Sequence, residues 1–568
     1  MYTPAPPLAA PPTTGPSISP RLTAAILYVL TAVLLLWRIG KVPPYPFNWE
    51  EYTAWNVFSF WEPGPFWGPI LAPGNGVMTD SGQGLLVGFP VSASFALFGV
   101  GLAQMRIPVA LIAALAPALL WLAGRKLLTP RIALIGAVLL AVCPVYVLYA
   151  RTATLVGVSL VPLLLALWAL ASVLTAPAGS MYWPAMGLAG SLTLGVFAYA
   201  PMRMMWPIAV VTLLAAAGFD RLRRGTLLGA ALLALVSVPA ALVVMDARWS
   251  SSPAPVKAVS GYFRARDETL LHMRDSDRLI YLRQDAPTFG PPALRLILQN
   301  LRDMIRVMFD RGTMPLVSDY WNASGSIWPA WMGVLVLAGA VLAAVWAVRR
   351  RDGLALLVLV CAAGFAAPLL LTSRVDSGRL LAAAPCACLL AALALDAGTG
   401  ALGRMIARYD PRSWLVTTLP VALPIAAALA LVGFTAEGMR HEAMLTRQVR
   451  EGFALESISQ IAPAAGVNLV VDPRLGPEIE RVHAASYRLQ LDQVYRFEDM
   501  NGPDALVRGP GRPALRYGEV LQALENGDFI GGACDAVYAV QPEVRERLIA
   551  ALKPYECSAP PQVIELPQ

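Results

Sequence analysis

Runs of apolar residues long enough to cross a bilayer recur along this chain, and they restrict it to one broad class. A helix needs about 20 apolar residues to span a hydrocarbon core roughly 30 Å thick. Runs of that kind fall at about 22–39, 107–124, 132–149, 155–175, 182–200, 204–219, 226–245, 327–348, 354–373, 379–397 and 413–435. A further run, 85–104, is ambiguous: it carries Gly, Ser and Pro in "LLVGFPVSASFALFGVGLAQ". The chain is 57% hydrophobic and only 14% charged, against about 25% charged in soluble domains. The fold class expected is mostly α: a polytopic membrane protein of about 11–12 transmembrane helices.

The formal charge of +7 sits in short loops between apolar runs. Such placement is what membrane topology demands and does not point to nucleic acid. Four loops are plainly basic: Arg125, Lys126 and Arg131; Arg221, Arg223 and Arg224; Arg349, Arg350 and Arg351; Arg404, Arg408 and Arg412. An even number of runs separates each consecutive pair, so all four loops fall on one side, and the positive-inside rule makes it the cytoplasm. Parity then puts residues after 436 outside. With 85–104 taken as an interfacial or half-inserted helix, Glu50 and Glu51 are outside and the N-terminus is inside. The divisions expected are a disordered Pro-rich tail over 1–20, a transmembrane unit over 21–440 with outer loops 41–105 and 246–325, and an extracytoplasmic α/β domain over 441–568. The first run has no small-residue cleavage pattern and is read as a retained helix.

The outer face collects lone ionisable residues set in apolar sequence: Glu50 and Glu51, Arg151 in "YARTAT", Arg203 in "FAYAPMRMMWP", and Arg374 and Arg379 in "TSRVDSGRLLAAAP". Charges at span ends line polar cavities or face water. A carboxylate there suits a general base that takes a proton from an attacking hydroxyl. "NWEEYTAWNVFSFW" also reads simply as an amphipathic helix, with Asn48 as N-cap and acids in the first turn. The two readings are compatible. Guanidinium forks suit phosphate or pyrophosphate; the plainer reading for Arg151 and Arg203 is snorkelling. The aromatics from Tyr45 to Trp67 read as an interfacial belt. Asn322-Ala323-Ser324 has the form of a glycosylation acceptor and is given no role.

The ordered series of these stretches, together with "ALFGVGLAQMRIPVALIAALAPALLWLAGRKLLTPRIALIGAVLLAVCPVYVLYARTAT", resembles the GT-C superfamily of membrane glycosyltransferases. The branch it resembles is the protein O-mannosyltransferase and aminoarabinose-transferase-like group, glycosyltransferase family 39-like, over roughly 20–440. The resemblance implies a polyprenyl-phosphate sugar as donor and a lipid, glycan or protein as acceptor. It implies a catalytic pocket between outer loops and spans in the inner (plasma) membrane, and it favours keeping 85–104 in the first outer loop. It places Glu50 and Glu51 where the family carries an Asp-Glu pair, the first acid as base, so Glu stands here for the usual Asp. It also implies donor-phosphate contacts for Arg203 and Arg379, with Arg374 and Arg151 as further candidates. A divalent cation, magnesium or manganese, held by Glu50 and Glu51 is an optional addition. Many members carry another acid after the segment matching "YARTAT"; this chain has none there.

Past about 440 the composition turns soluble. "GVNLVVDP" and "DAVYAV" read as buried strands, "ASYRLQLDQVYRF" as a strand and "PEVRERLIAALKP" as a helix. Cys534 and Cys557 are a disulfide candidate in an oxidising compartment, whereas Cys143, Cys361, Cys386 and Cys388 lie inside apolar runs as packing residues. His272, His441 and His483 are scattered and form no metal motif. Two other functions fit a polytopic chain: a lipid or glycan transporter or flippase, and a non-catalytic scaffold. A transporter often shows two related halves; no internal repeat is visible.

Overall fold

The computed structural model describes residues 19–41, Glu50, Thr53, Val57, 84–99, 101–198, 200–249, 291–309, 327–349, 353–371, 377–410, 412–451, 467–470, 537–540, 542–553 and 562–565. All eleven apolar runs lie on helices. In chain order the first half comprises α1 (Pro20–Leu36), a π turn (Gly84–Gly88) leading into α2 (Phe89–Phe98), α3 (Leu102–Ala113), α4 (Leu115–Leu127), α5 (Pro130–Ala141), α6 (Pro144–Arg151), α7 (Leu155–Val158) and α8 (Leu160–Thr175). Next come α9 (Tyr182–Leu194), two 3-10 turns (Gly195–Phe197 and Ala200–Met204), α10 (Met205–Phe219), α11 (Arg224–Trp249), α12 (Pro291–Phe309), α13 (Ala330–Arg349) and α14 (Gly353–Ala366). A 3-10 turn (Ala367–Leu371), α15 (Ser377–Leu380), α16 (Ala384–Tyr409) and α17 (Leu415–Glu451) complete the helical part.

Among the described residues, seven helical segments are long and apolar enough to cross a membrane, and eight if the pair α5 and α6, bent by 55°, counts as one span. The chain is a multi-pass membrane protein. The three shorter apolar helices at Pro20–Leu36, Leu86–Phe98 and Gly353–Ala366 bring the described total to eleven, within the expected 11–12. The ambiguous run 85–104 is not one helix. Its helical part stops at Gly99, whose φ of 83° favours glycine, and Leu102 starts the next helix.

Inside a bilayer every backbone polar group must find a partner within the protein. Proline makes this demanding, because it deletes one N–H and frees the carbonyl four residues earlier. Pro117 frees Ala113, whose carbonyl accepts from the Tyr146 hydroxyl at 2.8 Å. Pro424 frees Pro420, whose carbonyl accepts from Arg131 Nη2 at 2.9 Å. At the α5–α6 bend, Pro144 begins the new helix and the Thr435 hydroxyl donates to the Val142 carbonyl at 2.8 Å. The irregular points are thus tied to other helices.

The core is centred on α16. It is buried almost continuously from Ala384 to Ala394 and packs on α5, α13, α14 and α17. Small residues allow the approach, as association in lipid requires. A Cβ at Gly339 of α13 would lie 1.8 Å from the Leu390 carbonyl oxygen, and one at Gly136 of α5 would lie 2.8 Å from Leu389 Cδ2. By contrast α17 lies at the periphery, with Val421, Ile425 and Leu429 exposed. Beyond it, β1 (Val467–Val470), β2 (Val537–Val540) and β3 (Gln562–Glu565) form a parallel sheet in that order. The helix α18 (Pro542–Leu552) connects β2 to β3, as parallel neighbours require a crossover. The strands expected at "GVNLVVDP" and "DAVYAV" and the helix at "PEVRERLIAALKP" are present. The strand expected over "ASYRLQLDQVYRF" and the pair Cys534 and Cys557 lie outside the described residues.

Candidate functional site

Glu50, Thr53 and Val57 are each helical and buried. The other acid of the pair, Glu51, lies outside the described residues. The Glu50 side chain is fully buried, and so is that of Arg106 on α3. Arg106 Nε donates to Glu50 Oε1 at 2.8 Å and its Nη2 to Oε2 at 2.6 Å. This is the two-pronged fork that fits guanidinium to carboxylate. The backbone N–H of Ala153 adds a third bond, 2.7 Å, to Oε1. Arg106 Nη1 reaches on to the Ile39 carbonyl at 3.0 Å. One carboxylate therefore joins the segment after α1, α3 and the loop after α6.

Arg151 sits at the last residue of α6, 2% exposed. The final carbonyls of a helix have no partner within it and carry partial negative charge. Those at the end of α1 are taken by Arg151: Nη1 donates to Leu35 at 2.8 Å and Leu34 at 3.2 Å, and Nη2 to Trp37 at 2.8 Å. Its guanidinium is engaged with backbone. The loop that follows is held close by Gly157 on α7, where a Cβ would lie 2.4 Å from the Tyr149 carbonyl oxygen. Arg106 and Arg151 together clamp the end of α1.

Arg203 and Arg379 lie on short segments gathered at one end of the bundle. Arg203 is half-buried in the turn Ala200–Met204, with Nε donating to the Ala198 carbonyl at 2.8 Å. Arg379 is carried by the single helical turn α15. Arg374 lies outside the described residues. These segments pack in a closed circuit: α6 on α7, α7 on the π turn Gly84–Gly88, that turn on Gly195–Phe197, this on Ala200–Met204, then α14, α15 and back to α6. Arg151, Arg203 and Arg379 all belong to this ring. At the far end of α8, Arg223 donates from Nη1 to the Leu174 and Ala176 carbonyls at 2.9 and 2.8 Å. The ring and the basic loop thus lie at opposite ends of α8.

Arg106 is the site residue that the sequence reading did not single out. Its signal was present: one charge inside an apolar run, "LAQMRIPVALIA", is a functional or structural marker by default. The optional cation was assigned to Glu50 and Glu51, and Glu51 lies outside the described residues. Among the described residues no group of three or more His, Cys, Asp and Glu gathers, and both Glu50 oxygens accept from Arg106.

A family model described as dolichyl-phosphate-mannose-protein mannosyltransferase matches residues 83–243. ArnT from Cupriavidus metallidurans bound to undecaprenyl phosphate superposes with a TM-score of 0.53 at 15% identity, covering 93% of this chain and 94% of that one. The chain has the GT-C fold. The apo form of the same ArnT gives 0.50 at 15% identity, over 94% of this chain and 95% of its own. The archaeal oligosaccharyltransferase AglB from Archaeoglobus fulgidus, in complex with an inhibitory peptide and a dolichol-phosphate, gives 0.48 at 15% identity over 86% of this chain. The chain spans 65% of that protein's length. No curated protein matches the chain. Within the GT-C fold, the residues matched by the family model include Arg106, Arg151, Ala153 and Arg203, and most of the ring.

Proposed function

We propose that the protein transfers a sugar from a polyprenyl-phosphate donor to an acceptor hydroxyl at the extracytoplasmic face of the plasma membrane. One observation carries this reading: the stretch matched by the mannosyltransferase family model, 83–243, supplies the arginine anchors and most of the ring. The orientation rests on the basic loops, with Arg223 at the end of α8 opposite the ring. In the reaction the acceptor oxygen attacks the anomeric carbon. The bond from that carbon to the phosphate oxygen breaks, and its electron pair leaves on polyprenyl phosphate. The acceptor proton passes to a carboxylate. Arg203 and Arg379 are the ring residues assigned to the developing phosphate charge, with Arg374 as the next candidate.

The two acids divide the work. Glu50 has both oxygens engaged with Arg106 and Ala153, which suits it to hold the outer segment in place. Proton acceptance then falls to Glu51. The test uses purified protein in proteoliposomes with a panel of polyprenyl-phosphate hexoses and pentoses, scoring sugar release or transfer. Glu51→Gln is expected to lower kcat by at least about 100-fold, the usual scale of general-base catalysis. Full activity in Glu51→Gln would return the base role to Glu50 or elsewhere. Translocation of the lipid-linked sugar without any transfer would replace the whole reading by a transporter.

A further inference from the structure

The helix α12 (Pro291–Phe309) differs from the apolar spans around it, because its side chains divide into three stripes. One stripe packs on protein: Asn300 and Val307 are buried, and Asn300 Nδ2 donates to the Leu370 carbonyl at 3.1 Å. A second is apolar and exposed, with Leu298, Leu301 and Ile305 at 55%, 42% and 50%. A third is basic: Arg302 and Arg306 are exposed and four residues apart, hence neighbours on the helix surface. Neither forms an ion pair with an acidic side chain among the described residues.

The position of α12 matters as much as its pattern. It packs against α13 and against the 3-10 turn Ala367–Leu371 that ends α14. Consecutive spans leave the end of α14 and the start of α13 on the same side of the bundle, the side of the ring. From that level α13 presents its own exposed stripe, Val334, Leu337 and Val341, to the surroundings of the bundle. The apolar stripe of α12 and that of α13 are both exposed at this end of the bundle, and the two arginines lie beside the first.

We propose that α12 is an interfacial helix that binds the anionic headgroups of bilayer phospholipids through Arg302 and Arg306. Leu298, Leu301 and Ile305 sit among the acyl chains. An apolar face flanked by basic residues is the pattern that lies in the interface plane, and anionic lipid is the partner complementary to two exposed arginines that form no ion pair among the described residues. Through Asn300 and Leu370 the helix joins this lipid contact to the wall of the ring. The inference rests on the membrane fold and not on the transferase reading, so either can fail alone.

The test uses the full chain in nanodiscs of phosphatidylcholine with a minor share of phosphatidylglycerol, and reads two signals. The first is the phosphatidylglycerol retained after extraction. Wild type is expected to hold it above the bulk ratio, with retention falling about five-fold for each arginine removed in Arg302→Gln and Arg306→Gln. The second is the depth of a spin label on Ile305→Cys, expected at acyl-chain level in the otherwise unaltered protein. A label in water, retention unchanged in the double variant, or label-to-label coupling that marks a second copy of the chain on this face would each overturn the proposal.

Discussion

Glu50 and Arg106 are charged groups with no exposed side-chain surface, and each is tolerable only because the other is present. Breaking such a pair from one side leaves a buried charge and costs about 3–5 kcal/mol, whereas replacing both partners by apolar groups is often near neutral. Glu50→Leu and Arg106→Met should each lower thermal stability in detergent strongly, and the double variant should lose much less than their sum. Strict additivity would show that the pair is not the anchor described. Arg151 offers a second test at this scale. With three backbone carbonyls depending on it, Arg151→Met should destabilise by several kcal/mol, at about 1–3 kcal/mol for each orphaned acceptor. A variant of full stability with a raised KM for the lipid donor would instead place the guanidinium on the substrate phosphate. These roles were only half legible in the sequence. Glu50 and Arg151 were marked as special by charge beside apolar sequence, whereas Arg106, equally isolated in "LAQMRIPVALIA", was passed over. What each one holds depends on approaches across 56 to 117 residues, which no local pattern encodes.

The helices show which parts of an element can be read locally. The apolar runs were visible because a bilayer demands length, and each proved helical. Their breaks were less visible. The 55° bend between α5 and α6 follows from Pro144, but the partners of the freed carbonyls come from distant helices. Tyr146→Phe removes the donor to the Ala113 carbonyl while keeping the ring. It should cost about 1–3 kcal/mol in thermal unfolding, the penalty of a buried unpaired acceptor. Glycine gives a sharper contrast. Gly339→Val cannot be accommodated beside the Leu390 carbonyl, while a Cβ at Gly190 meets nothing within 4 Å. Gly339→Val should therefore abolish the folded, monodisperse protein and Gly190→Val should leave it near wild type. Equal behaviour of the two would contradict the close α13–α16 packing.

At the scale of the whole molecule the two ends of the bundle are built differently. One end has clustered basic residues in short loops, as with Arg223 closing over the end of α8. The other has lone charges on short helical pieces that pack in a ring. Loop parity read this asymmetry from charge alone, and the GT-C fold agrees with the resemblance seen in the ordered motifs. The ring itself was not legible, since α7, α15 and the 3-10 turns are too short to leave a period in the sequence. The amphipathic α12 was also hidden, inside the stretch 246–325 read simply as an outer loop. The central claim is that this ring receives a polyprenyl phosphate. The most direct measurement is an experimental structure of the protein in nanodiscs with undecaprenyl phosphate. The account predicts phosphate density inside the ring, within reach of Arg203 and α15, with Arg151 still bound to the end of α1. Phosphate held outside the ring, or no ordered lipid at saturating concentration, would contradict it.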